Sequence, residues 1–226
     1  MSEAAMPFFA HLDELRRRLL RGGGVLLAAC ALSFPVTGAL MDRLARPLGQ
    51  LVFYRPLEAF DTRLLLSFYV GLALSLPILI REAWLFVGPA LSENLKRTLL
   101  RALPASYVLF AAGAALAVLV VLPPATAFFM SFGTTSVRPY ISVEQYVAFS
   151  ARLALSFGLA FQTPLVMAGL ARLGLATREG LAARRREFYF LAFILGAVLT
   201  SPEVLTQLSL AFPLIALYEV GLLLMR

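Results

Sequence analysis

Long apolar stretches recur along the chain at about 22–41, 62–86, 102–123, 147–171 and 204–224, separated by short polar segments. Each approaches or exceeds the roughly 20 helical residues that cross a hydrocarbon core of about 30 Å. A further run, FYFLAFILGAVLTS at 188–201, has only fourteen residues. It reaches about 21 Å at about 1.5 Å per residue, short of a full crossing. Ser201-Pro202-Glu203 links it to the last run, so this pair is expected to form a shallow hairpin. Such a hairpin thins the bilayer locally or is sheltered by its neighbours. The pattern predicts an all-α polytopic membrane protein, a single integral-membrane domain over 1–226 with six transmembrane helices, the hairpin being the shallow part.

Prolines modify that picture. Thirteen are spread over the spans and their ends, among them Pro35, Pro77, Pro104, Pro164 and Pro213. An interior proline removes a backbone hydrogen bond and kinks its helix. Several kinked helices around one bundle give a curved, concave wall.

Composition agrees with a membrane setting. Hydrophobic residues make up 60% and charged residues 15% of the 226 positions, against about 25% charged in soluble domains. The mean hydropathy is +0.83. The net charge of +7 is carried by nineteen arginines and one lysine against thirteen acids. With both termini inside, the inner segments hold fourteen basic residues and the outer loops five, with Arg152 near the start of span four. That asymmetry favours cytoplasmic N- and C-termini. No separate basic domain or arm of interleaved aromatics is present, so nucleic acid is not an expected partner. Cys30 and His11 are single, which leaves no cysteine–histidine zinc pattern and no intrachain disulfide. No metal or cofactor is expected. The acidic, amphipathic start does not resemble a cleaved signal peptide.

The most unusual polar stretch is HLDELRRRLL at 11–20. On a helix Phe8, Leu12, Leu15 and Leu19 share a face, and Asp13, Glu14, Arg16, Arg17 and Arg18 occupy the remainder. Residues 1–21 therefore read as a cytoplasmic amphipathic segment lying at the interface, with Gly22, Gly23 and Gly24 permitting a turn into the first span. Two readings of its acids stand side by side. Asp13–Arg17 and Glu14–Arg18 are at i, i+4 spacing and can form exposed ion pairs worth a few tenths of a kcal/mol. Alternatively one acid is held out for a partner's cation, and a carboxylate takes a guanidinium bidentately.

HLDELRRRLL, together with WLFVGPALS at 84–92, FQTPLV at 161–166 and AVLTSPEVLTQ at 197–207, resembles the TatC family. These proteins are the signal-recognising cores of twin-arginine protein translocases. The resemblance runs from His11 to the end of the chain. It implies six transmembrane helices in a concave, glove-like arrangement with cytoplasmic termini. It also implies a receptor for the twin-arginine motif of folded export substrates, built from the N-terminal segment and the first cytoplasmic loop.

By resemblance, Glu14 matches the signal-binding glutamate, with Arg16 and Arg18 as accompanying basic positions that orient it or meet lipid phosphate. Phe86 and Pro89 match positions beside the recognition surface. A second acid expected a few residues later is Leu95 here; either Glu93 supplies it or another acid, such as Glu82, serves with Glu14. Gln162 stands where a glutamate is frequent, which keeps the hydrogen-bonding reach and loses the charge. It is either a polar contact for a partner helix or an interhelical bond that holds the fold. Glu203 and Gln207 match a periplasmic-side pair in the last hairpin. Glu219, near the inner end of the final span, is placed to snorkel to the interface, and Pro47 matches a structural proline of the first outer loop.

The implied function is recognition and scaffolding, not catalysis. The chain would bind twin-arginine signal peptides, self-associate, and assemble with TatA- and TatB-type single-span proteins in a bacterial cytoplasmic membrane, driven by the proton-motive force. No G-x-x-x-x-G-K-[ST] loop is present. A secondary transporter of a small solute is the alternative; it calls for paired broken helices in two matched halves, which the sequence lacks. An intramembrane hydrolase built on histidine is not expected, because His11 lies outside the spans.

Overall fold

The computed structural model describes residues 8–48, 51–87, 101–133, 140–199 and 204–225. The first helix, α1, runs unbroken from Phe8–Ser33. The turn expected at Gly22, Gly23 and Gly24 is therefore absent, and the amphipathic segment and the first span are one rod. Glycine lowers helix propensity in water, but in hydrocarbon every backbone group must bond internally, which preserves the helix across the triplet. α1 ends at a 3₁₀ turn, Phe34–Val36, started by Pro35, and continues as α2, Thr37–Ala45. A second 3₁₀ turn, Arg46–Leu48, contains Pro47.

α3 returns across the membrane over Glu58–Val87. α4, Leu103–Leu116, passes through a π-helical stretch, Ala117–Val121, into α5, Leu122–Met130. Pro123 and Pro124 explain the widened turn: Pro123 has no N–H to give and its ring crowds the carbonyl four residues back, in the π stretch. α6, Val143–Ala160, and α7, Thr163–Arg172, form one crossing broken at Phe161 and Gln162. There Pro164 cannot bond the Ala160 carbonyl, and the Thr163 hydroxyl donates to it instead at 2.7 Å. After the short α8, Arg178–Ala183, come α9, Arg185–Leu199, and α10, Val204–Leu224.

Five of these segments are long and apolar enough to cross a membrane, and α9, with 15 residues, is the short sixth. At about 1.5 Å per residue α9 reaches about 22 Å. The fold is the expected all-α membrane bundle; the described residues contain a single isolated strand-like bridge, Val52 with Ser142. Leu27, Leu32, Leu119 and Val198 are each more than 70% exposed, as lipid-facing side chains are.

Close helix contacts form the centre. A Cβ on Gly113 would lie 2.6 Å from the Phe157 carbonyl oxygen, and one on Gly158 would lie 2.4 Å from the Phe110 ring. Small residues let α4 and α6 touch backbone to backbone, as membrane helices commonly do. Leu153, Phe157, Leu210 and Leu214 complete a core joining α6 to α10. α1 lies mainly against α3, and α9 against α10.

Candidate functional site

The face that α1 turns toward α3 is polar. Leu12 and Leu19 are exposed, whereas Glu14 and Arg18 are half-buried and Gly22, one turn on, is buried against Leu79. The i, i+4 spacing brings Glu14 and Arg18 together: Arg18 Nε donates to Glu14 Oε1 at 3.0 Å, and Nη2 donates to the same oxygen. Arg18 also crosses to α3, where Nη1 donates to Glu82 Oε2 at 3.1 Å. Arg81 Nη1 donates to Glu82 Oε1 at 2.9 Å. Side-chain exposures of 22% for Glu14, 17% for Arg18 and 9% for Glu82 make this an ion cluster largely withdrawn from solvent. Charge pairs at such depth interact more strongly than at a free surface.

One oxygen of the cluster is left over. Glu14 Oε2 is buried and has no hydrogen-bond partner among the described residues, because Arg18 places both of its bonds on Oε1. A buried carboxylate oxygen without a donor is costly, and an incoming guanidinium relieves that cost directly. Arg16 is exposed on α1, and Phe86 is half-buried in the last turn of α3. Asp13 and Arg17 are both exposed. Pro89, Glu93 and Glu203 lie outside the described residues.

The intramembrane polar residues are engaged within the chain. Gln162 accepts from the Ser106 hydroxyl at 2.6 Å and donates to the Ser106 carbonyl at 3.0 Å and the Gly158 carbonyl at 3.5 Å. This is the interhelical bond of the second reading. Gln162 also lines a cavity of about 500 Å³, together with Leu76, Ile80, Ser106, Val166 and Arg172. Gln207 Nε2 donates to the Phe193 carbonyl at 3.0 Å and ties α10 to α9. Glu219 does not simply snorkel: Arg185 grips it at 2.7 and 3.0 Å, and the Tyr189 hydroxyl donates to it at 2.7 Å. Pro47 starts no long helix and lies in its 3₁₀ turn.

With this geometry in view, comparison with known proteins is decisive. The family model for the Sec-independent protein translocase protein TatC matches residues 10–213. The chain belongs to the TatC family. The TatC of Aquifex aeolicus is 34% identical over 97% of this chain and 94% of its own length. That of Carboxydothermus hydrogenoformans is 32% identical over 98% and 93% respectively. Among solved structures, a crystal structure of the twin-arginine translocase receptor TatC in DDM superposes with a TM-score of 0.84 at 33% identity, covering 96% of this chain and 99% of the other. A second crystal structure of that receptor gives 0.81 at 34% identity. This TatC homologue is thus an integral membrane protein of the translocase class, and the small-solute transporter alternative finds no support.

Two groups escaped the sequence reading of this TatC fold. Glu58 at the start of α3 is buried at 2% exposure. It accepts from the backbone N–H of Tyr54 at 2.7 Å, of Arg55 at 3.3 Å and of Glu144 at 3.5 Å, and from the Ser142 hydroxyl. It joins the 51–57 loop to the start of α6, where Val52 and Ser142 pair. An acid in a first helical turn signals a cap, but nothing in the sequence discloses the second segment it binds. The other is the Arg18–Glu82 contact across 64 positions; Glu82 had stood only as an alternative second acid.

Proposed function

We propose that this TatC homologue is the signal receptor and assembly core of a twin-arginine translocase. It binds the twin-arginine motif of folded export substrates through Glu14. The observation that carries this reading is the buried, unpartnered Glu14 Oε2 beside Arg18 and Glu82. Arg18, itself tied to Glu82, holds one oxygen of Glu14 in place, and the other is left to accept from an arriving arginine once the groups that cover it give way. Glu82 is the second acid of the site and Arg16 and Phe86 flank it; Pro89 and Glu93, outside the described residues, join it by resemblance alone.

The bias of fourteen basic residues against five supports a cytoplasmic Glu14 cluster and cytoplasmic termini, with the chain in a bacterial cytoplasmic membrane. Single-span partners of the TatA and TatB type lie along the concave wall, near Gln162 and the α9–α10 hairpin with its Gln207 and Glu219; Glu203, outside the described residues, is included by resemblance. Self-association and the proton-motive force complete the assembly. Binding of a twin-arginine signal peptide to the full chain in phospholipid nanodiscs tests the reading. Binding that falls at least tenfold when both arginines become lysine supports it, because a lysine point charge lacks the bidentate fork. Equal binding of the two peptides overturns it.

A further inference from the structure

α6 carries two charges: Glu144 pairs with Arg55, and Arg152 is left without a role in the reading above. It lies nine residues beyond Val143, about 13 Å along the helix, well inside the crossing Val143–Arg172. Tyr146, Val147, Ser150, Ala151 and Leu153 around it are buried, whereas Gln145, Arg152 and Leu159, spaced by seven, are exposed. Arg152 therefore leaves the protein toward lipid. Its Nε donates to the Ala148 carbonyl at 3.2 Å. That bond, one turn back, leans the side chain toward the N-terminal end of α6, as helical side chains lean. No carboxylate reaches its terminal nitrogens among the described residues.

An unpaired charge at hydrocarbon depth is costly and calls for an anion. The crossing has 30 residues, about 45 Å, and overruns a core of about 30 Å by about five residues at each end. The Arg152 backbone thus lies about 6 Å below the hydrocarbon boundary, a depth a leaning arginine spans by snorkelling. At that boundary the resident anion is the lipid phosphate, and a guanidinium forks onto phosphate oxygens. A carboxylate on a neighbouring helix would have to be desolvated to reach the same place, whereas the phosphate is already there. We propose that Arg152 is a phospholipid-phosphate seat on the lipid-facing side of α6, in the leaflet next to the 51–57 and 140–142 segments. The small Ala148 leaves room above it for the headgroup.

The test is the rise in thermal midpoint of the full chain in maltoside micelles as dioleoylphosphatidylglycerol is added. Dioleoylglycerol, with the same tails and no phosphate, is the control. The wild type is expected to respond to the phospholipid and not to the diacylglycerol. Arg152→Gln raises the half-saturating phospholipid concentration about fivefold, Arg152→Lys raises it less, and Arg178→Gln at the opposite face leaves it unchanged. If Arg152→Gln does not give a monodisperse protein, the Arg152→Lys shift decides. An unchanged curve for the Arg152 variants overturns the proposal. So does an equal response to the diacylglycerol, or a response confined to an added single-span peptide bearing a carboxylate.

Discussion

Two carboxylates near opposite ends of the bundle, Glu58 buried and Glu14 half-buried, make an instructive pair. Glu58 receives three backbone N–H groups and a hydroxyl, all from its own chain, so nothing about it awaits a ligand. Glu14 receives one arginine on one oxygen and leaves the other buried and unpaired. Burial alone does not distinguish a binding group from a structural one; the two carboxylates differ in how far their own chain satisfies them. Glu58 is a fastener between two segments, and Glu14 is the acceptor that the proposed function assigns to the signal peptide.

Substitutions separate the two roles. Glu14→Gln keeps the shape and removes the charge, and signal-peptide affinity should fall at least tenfold, about 1.4 kcal/mol or more. Its thermal midpoint should change little, because Arg18 keeps Glu82. Glu58→Gln should do the reverse: a midpoint lower by several degrees in a detergent melt, with peptide affinity per folded molecule unchanged. Gly113→Ala, forced to within 2.6 Å of the Phe157 carbonyl oxygen, should cost about 1–3 kcal/mol in denaturant titration through the α4–α6 contact. Glu219→Gln removes a well-formed but accessible pair with Arg185 and should cost less than about 1 kcal/mol in the same titration.

The contrast also shows what a linear chain discloses. The apolar stretches are legible because spanning hydrocarbon needs about 20 such residues in succession, and even α9 is marked by its shortness. The Glu14–Arg18 pair is legible from helical spacing, whereas the role proposed for Glu14 comes from the resemblance of HLDELRRRLL. What joins distant segments is not legible: Arg18 with Glu82, Glu58 with Ser142. Each depends on a helix approach that pattern does not encode. The glycine triplet misleads for a different reason, since water-based propensity underrates a helix in lipid. Nor does the pattern disclose how the charges of the opening segment divide: Glu14 and Arg18 turn toward α3, whereas Asp13, Arg16 and Arg17 stay exposed.

The most direct measurement is a double-mutant cycle between Glu14 and the signal peptide. It combines wild type and Glu14→Gln with a twin-arginine peptide and one carrying glutamine at each arginine in turn. Pairing of Glu14 with one guanidinium predicts a coupling of about 1.5 kcal/mol or more for that arginine, and near zero for the other. Additive losses at both positions would contradict it: the peptide would then be held elsewhere, and the unpaired oxygen of Glu14 would not be its receptor.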